Sequence, residues 1–110
     1  MREIIESLRR FRDDRGWADF HTPKDLAASI SIEAGELLEI FQWDRSGHDT
    51  SNLDIAAVAD EAADVLLYTL MLFDRLGLDP EIEAKKKISR NEGRFPVEVS
   101  YGKPGSKLNR

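Results

Sequence analysis

Four carboxylates stand out by their spacing. Glu33 and Glu36 form a Glu-x-x-Glu pair, and Glu61 and Asp64 form a Glu-x-x-Asp pair. Residues three apart on a helix are neighbours, with Cβ atoms about 5–6 Å apart. Glu33 also falls within Leu26, Ile30, Glu33, Leu37 and Ile40, which a 3.6-residue period places on one face. A carboxylate in an apolar stripe loses water and needs a partner or a proton. If the helices carrying the two pairs pack antiparallel, as a short connection favours, all four carboxylates converge. Like charges that close do not all ionise without a cation. A hard divalent ion with oxygen ligands resolves the conflict. Mg²⁺ is the first choice, with Mn²⁺ also admitted. No histidine accompanies the pairs, which argues against Zn²⁺ and against the Glu-x-x-His di-iron pattern. The competing reading is solvated surface charge, the expected state of Glu39. Two pairs bordering apolar stripes on successive helices favour the metal.

The elements that must hold these residues are helical. Ile4, Ile5, Leu8 and Phe11 give residues 2–14 one apolar face. The segment GWADFHTP breaks that helix. Thr22 and Pro23 then have the form of an N-cap and a first helical residue, and the second helix is expected over 23–43. A polar loop, DRSGHDTSNL, leads to a third helix expected over 53–76 and stopped by Gly77. Asp79-Pro80 starts a fourth, ending near Asn91 or Gly93. The predicted fold is all-α: a bundle of about four helices over a domain spanning 1–95, followed by an irregular tail over 96–110.

The third helix reads IAAVADEAADVLLYTLMLF and is apolar in nearly every direction. Such a helix is normally buried on all sides. One chain of this size can hardly enclose it, so a homo-oligomer is expected.

Composition narrows the partners. The net charge is −5, a poor match for a polynucleotide backbone. There is no cysteine, hence no disulfide and no thiolate metal site. The N-terminal stretch MREIIESLRRFRDD has no signal-peptide apolar core. The longest strongly apolar run, Val65 to Phe73, falls far short of the roughly 18–20 residues of a membrane span. A soluble cytoplasmic protein without a membrane partner is the expectation.

With these residues in view, the chain resembles the all-α nucleoside triphosphate pyrophosphohydrolases of the MazG-like superfamily, whose signature is Glu-x-x-Glu followed by Glu-x-x-Asp on the next helix. It is most similar to the dCTP pyrophosphatase branch. RGWADFHTPKDLAASISIEAGELLEIFQW resembles that branch's Trp…Phe-His-x-Pro entry into Glu-x-Gly-Glu-Leu-x-Glu-x-Phe-Gln-Trp. DEAADVLLY resembles its acidic third-helix motif, and KKISRNEGRFPVE its Lys-x-x-x-Asn-x-x-x-(Phe/Tyr)-Pro ending. The resemblance implies Mg²⁺-dependent hydrolysis between the α and β phosphates, with dCTP or a related pyrimidine nucleotide as substrate. It implies Glu33, Glu36, Glu61 and Asp64 as metal ligands and catalytic carboxylates, the general base being Glu33, Glu36 or Glu61. Trp17, His21 and Trp43 are expected at the base. Tyr68, one turn after Asp64, is expected at a phosphate or a metal-bound water. Lys87 and Asn91 are expected at the phosphates, with Arg90 and Arg94 as weaker candidates. His48 is expected to be solvated. The branch forms dimers of dimers, so the implied assembly is a tetramer. The chain departs from some members of the branch in offering Leu8 and Phe11 where they carry an aromatic or histidine near the base.

Two other readings compete. One is a non-catalytic helical interaction module whose acidic pairs bind Mg²⁺ or a basic partner. The other is a related pyrophosphohydrolase acting on phosphoribosyl-ATP, against which the Trp and His residues favour a free nucleotide.

Overall fold

The computed structural model describes residues 1–103. Its elements are α1 (Arg2–Asp14), a 3₁₀ turn (Ala18–Phe20), α2 (Pro23–Phe41), α3 (Ile55–Arg75), α4 (Pro80–Arg94) and α5 (Val97–Ser100). The expected all-α class holds, and the described residues contain no strand. No helix among them is long and apolar enough to cross a membrane.

Helix ends follow local chemistry. The Thr22 hydroxyl accepts from the Asp25 N–H at 3.1 Å, with Pro23 at the first turn of α2. Asp54, rather than the expected Leu53, marks the entry to α3, because its carboxylate accepts from the Ala57 N–H at 3.1 Å. Asp79 accepts from Glu81 and Ile82 to start α4. Helix α2 ends at Phe41, two residues before the expected Trp43. Gln42 caps it and Asp44 turns back onto the Phe41 carbonyl.

Two helices close with the same glycine device. At the end of α1, Gly16 takes φ +63, its N–H donates to Asp13 and the Trp17 N–H donates to Arg12. At the end of α3, Gly77 takes φ +69, its N–H donates to Asp74 and the Leu78 N–H donates to Phe73. Both are Schellman motifs, which need the left-handed conformation that glycine adopts without a Cβ penalty. The first sets Trp17 edge-on to Phe11, ring centroids 5.6 Å apart. That is the apolar contact the motif commonly carries.

Contacts divide the chain into two units, Met1–Leu78 and the part from Asp79 onward. In the first, α2 and α1 both pack against α3. Only Leu26 and Leu70 are buried hydrophobics among the described residues, at 1% and 2% exposure. Most of the apolar surface of α3 is therefore only half-covered, and Ile55 and Leu66 are exposed. In the second unit, α4 carries Lys85, Lys86, Lys87, Arg90 and Arg94, all exposed. The short α5 occupies part of the tail expected to be irregular; its residues 104–110 lie outside the described residues.

Candidate functional site

Helices α2 and α3 are joined by one loop and bring the two acidic pairs together. Glu33, Glu61 and Asp64 each offer a carboxylate oxygen, and these lie within 4.8 Å of one another. All three side chains belong to half-buried residues. The Oε2 atoms of Glu33 and Glu61 are buried without a hydrogen-bond partner. Polar atoms rarely stay in that state, since leaving one unpaired forfeits its hydration.

Electrostatics reflects the crowding. The Glu33 carboxyl is pushed up to about 7, first by the hydrogen bond its protonated form shares with Glu36. Burial and the charges of Glu36 and Asp64 push the same way. Glu61 is also raised, mainly by burial and then by the Glu36 charge. Glu36 itself is exposed and lies outside the three-oxygen group. It stands at the rim and acts on Glu33 first through a hydrogen bond and then through its charge. Of the four expected carboxylates, three form the cluster and the fourth borders it.

The donor set fits a hard divalent cation. It consists of carboxylate oxygens alone, two of them unpaired, held close enough to repel. Glu33, Glu61 and Asp64 would hold the ion, with Glu36 at its edge.

The remaining site residues fall in separate places. Tyr68 is half-buried one turn beyond Asp64 on α3. Trp17 and His21 sit together before α2, with ring centroids 6.4 Å apart. Trp43 lies past the other end of α2 and is 85% exposed. The 19 residues of α2 span about 28 Å, so one chain does not bring Trp43 and Trp17 to one base. His48 is exposed, as expected. Lys87 and Asn91 lie on α4 in the second unit, exposed and half-buried respectively.

Sequence reasoning missed two features. Arg15 lays its guanidinium 3.7 Å from the centroid of the Phe11 ring and donates to the Phe11 carbonyl at 3.0 Å. Arg9 and Arg12 reach across to Asp74, 65 positions from Arg9. Arg9 and Arg12 share a stripe with Ile5 and Leu8, so the reasoning that singled out Glu33 also singles them out.

An all-helical domain in which Glu33, Glu61 and Asp64 crowd together from two neighbouring helices defines the class of helical bundles with a candidate carboxylate metal site. Within that class the chain belongs to the MazG-like family, which residues 28–103 match. It is 33% identical to dCTP pyrophosphatase 1 of Homo sapiens over 104 residues, 87% of this chain and 61% of that protein. The Rattus norvegicus dCTP pyrophosphatase 1 is likewise 33% identical over 106 residues, 89% of this chain and 62% of that protein. The chain thus spans about three fifths of the length of these relatives. A crystal structure of a pyrophosphatase from Archaeoglobus fulgidus is similar with TM-score 0.82 and 47% identity, covering 87% of this chain and 92% of that one.

Proposed function

We propose that the chain is a nucleoside triphosphate pyrophosphohydrolase. It cleaves dCTP or a related pyrimidine deoxynucleotide between the α and β phosphates, releasing the monophosphate and pyrophosphate. The observation that carries this reading is the Glu33, Glu61 and Asp64 cluster with its two unpaired buried oxygens. Similarity to dCTP pyrophosphatases supports the substrate class.

A bound Mg²⁺, or Mn²⁺ in its place, neutralises phosphate oxygens and fixes their position. The chain supplies the rest. Glu33, Glu61 and Asp64 hold the site together at the middle of α2 and α3. Glu36, outside the cluster, is free to take the proton of the attacking water. Tyr68 serves the phosphates from the next turn of α3, and Lys87 and Asn91 keep the phosphate role that their motif implies. Trp17 and His21 serve the base from one end of α2, and Trp43 from the other.

The working form is a homo-oligomer, a tetramer built as a dimer of dimers. The support is physical: exposed Ile55 and Leu66 on α3, exposed Ile32 and Leu38 on α2, and only two buried hydrophobics in the described residues. The separation of Trp17 from Trp43 points the same way, since a pocket using both draws them from different copies. The functional domain spans 1–95 with 96–110 as a tail, and the location is cytoplasmic.

The test is a deoxynucleotide panel with Mg²⁺ and with EDTA, products resolved by chromatography. dCMP and pyrophosphate are expected with Mg²⁺ alone. Appearance of dCDP sinks the proposed bond, and equal rates in EDTA sink the metal. Light scattering at low micromolar concentration gives the assembly; an active 12.5 kDa monomer would refute the oligomer.

A further inference from the structure

Gly35 weakens the helix it occupies. It lies in the interior of α2, where glycine is a poorer helix former than alanine. The backbone does not require it, since its φ is not among the positive ones. Its neighbours do not require it either: a Cβ there would meet no atom within 4 Å. At about 100° per residue, Gly35 points away from the Leu26, Ile30, Glu33, Leu37 and Ile40 stripe. A helix-interior glycine on an outer face marks a place where another backbone comes close.

The face around Gly35 is its own complement. Ile32 and Leu38 flank it, 61% and 68% exposed. When two copies cross antiparallel at Gly35, Ile32, three residues before the crossing, stands level with the partner's Leu38, three after. Ser31 and Glu39 are four before and four after, so a hydroxyl donor stands level with a carboxylate. Asp25 and Arg45 are ten before and ten after, and among the described residues neither is held in an ion pair. Each pair occurs twice, as a two-fold axis requires. A parallel crossing instead sets Glu39 against the partner's Glu39, two like charges.

The antiparallel crossing also places Trp43. Trp43 is eight residues past Gly35, about 12 Å along the axis, and Pro23 is twelve before it, about 18 Å. Trp43 of one copy therefore stands within about 6 Å of the level at which the partner's α2 begins. Trp17 and His21 precede that helix start. The length of α2 that keeps Trp43 from Trp17 in one chain is closed between two.

We infer that two copies pack α2 against α2, antiparallel across Gly35, and that each copy contributes Trp43 to the site of the other. The role of Trp43 rests on the pyrophosphohydrolase reading; the crossing does not. The chain has no cysteine, so introduced cysteines report the crossing without background. Ser31→Cys and Glu39→Cys, refolded together from urea and oxidised at low micromolar concentration, should form a disulfide-linked dimer on a non-reducing gel. Neither variant alone should. A dimer from Ser31→Cys alone means a parallel crossing and overturns the inference, as does no dimer from the mixture. Gly35→Leu should halve the mass seen by light scattering and keep the helical circular dichroism. An unchanged mass overturns the inference; if Gly35→Leu fails to fold, the cysteine pair decides.

Complementation reads Trp43. Trp43→Ala and Glu61→Gln should each release little pyrophosphate from dCTP at low concentration. Refolded together they should regain about a quarter of the wild-type rate, since half of the pairs are mixed and one of their two sites is intact. Wild-type activity in Trp43→Ala, or no regain in the mixture, overturns the contribution of Trp43 and leaves the crossing to the cross-link. If wild type releases no pyrophosphate, the enzymatic reading falls and the cross-link alone decides the crossing.

Discussion

Two charged regions of the same helix pair differ in how they are balanced. Midway along α2 and α3, three carboxylates crowd within 4.8 Å and two of their buried oxygens have no partner. At the end of the pair, one carboxylate, Asp74, is gripped by two guanidiniums. There the Arg9 pKa is raised, first by its hydrogen bond to Asp74 and then by that residue's charge. The end region satisfies itself. The middle region is complete only when something positive arrives, and until then one carboxyl must hold a proton. Arg12 also pairs with Asp13 at 2.8 Å, so two cations meet two anions there, whereas net imbalance inside a folded domain marks where a ligand's charge belongs.

The largest expected effect breaks the imbalance directly. Glu61→Gln or Asp64→Asn removes one ligand and one negative charge. Mg²⁺-dependent pyrophosphate release falls by about two orders of magnitude or more. In EDTA the same variants melt higher than wild type, because like-charge repulsion is relieved. The opposed signs are diagnostic: an ordinary surface carboxylate would move neither quantity much. Activity within twofold of wild type in both variants would remove the cluster from the mechanism.

A smaller effect follows from the proton. Glu33 has an ordinary value of 4.5 and is held at about 7 in the folded chain. The folded state therefore binds this proton more tightly than the unfolded state. Its stabilising contribution is full below pH 4.5 and is lost as pH rises through 7. Glu61 is raised too and acts in the same direction. Asp13, Asp44 and Asp49 are lowered by hydrogen bonds from Arg12, Ser46 and Ser51 respectively, so they act only below their ordinary 3.8. Urea midpoints in EDTA should fall between pH 4.5 and 7, and Mg²⁺ should flatten that fall by taking the proton's place. A midpoint that rises with pH in EDTA would mean that the carboxylates do not repel as described.

The sequence carried the middle region better than the end. Glu33 was legible because a carboxylate interrupts an apolar stripe, and Glu61 with Asp64 because the spacing repeats. Thr22-Pro23, Asp79-Pro80 and Gly77 announced helix ends through cap chemistry that acts over three or four residues. The Arg9–Asp74 pairing spans 65 positions, and no local rule reports it. Trp43 shows a different limit. Residues flanking a helix in sequence stand at its two ends in space, and about 28 Å of α2 keeps Trp43 from Trp17 within one chain. The all-round apolarity of α3 was readable too, and so was its consequence. Few of the described residues are fully buried, because α1 and α2, which pack on α3, do not supply enough surface to cover it.

The smallest expected effect sharpens the contrast at the end region. Gly16 and Gly77 both close helices at positive φ, +63 and +69, and a Cβ at either would meet no atom within 4 Å. Gly16→Ala and Gly77→Ala thus carry only the backbone cost of a left-handed alanine, about 1–2 kcal/mol each. Urea unfolding should show similar losses for the two. Their consequences for nucleotide should differ. Gly16 is the residue that turns the chain so that Trp17 meets Phe11 beside His21. Gly77 closes α3 beyond Asp74 and directs no aromatic ring. Gly16→Ala should shift Trp17 fluorescence and raise KM for dCTP by several-fold, with Gly77→Ala changing KM less. Mg²⁺ affinity should stay the same in both, since neither glycine lies near the carboxylates. Equal KM values for the two variants would show that the α1 closure sets stability alone and that Trp17 does not meet the base.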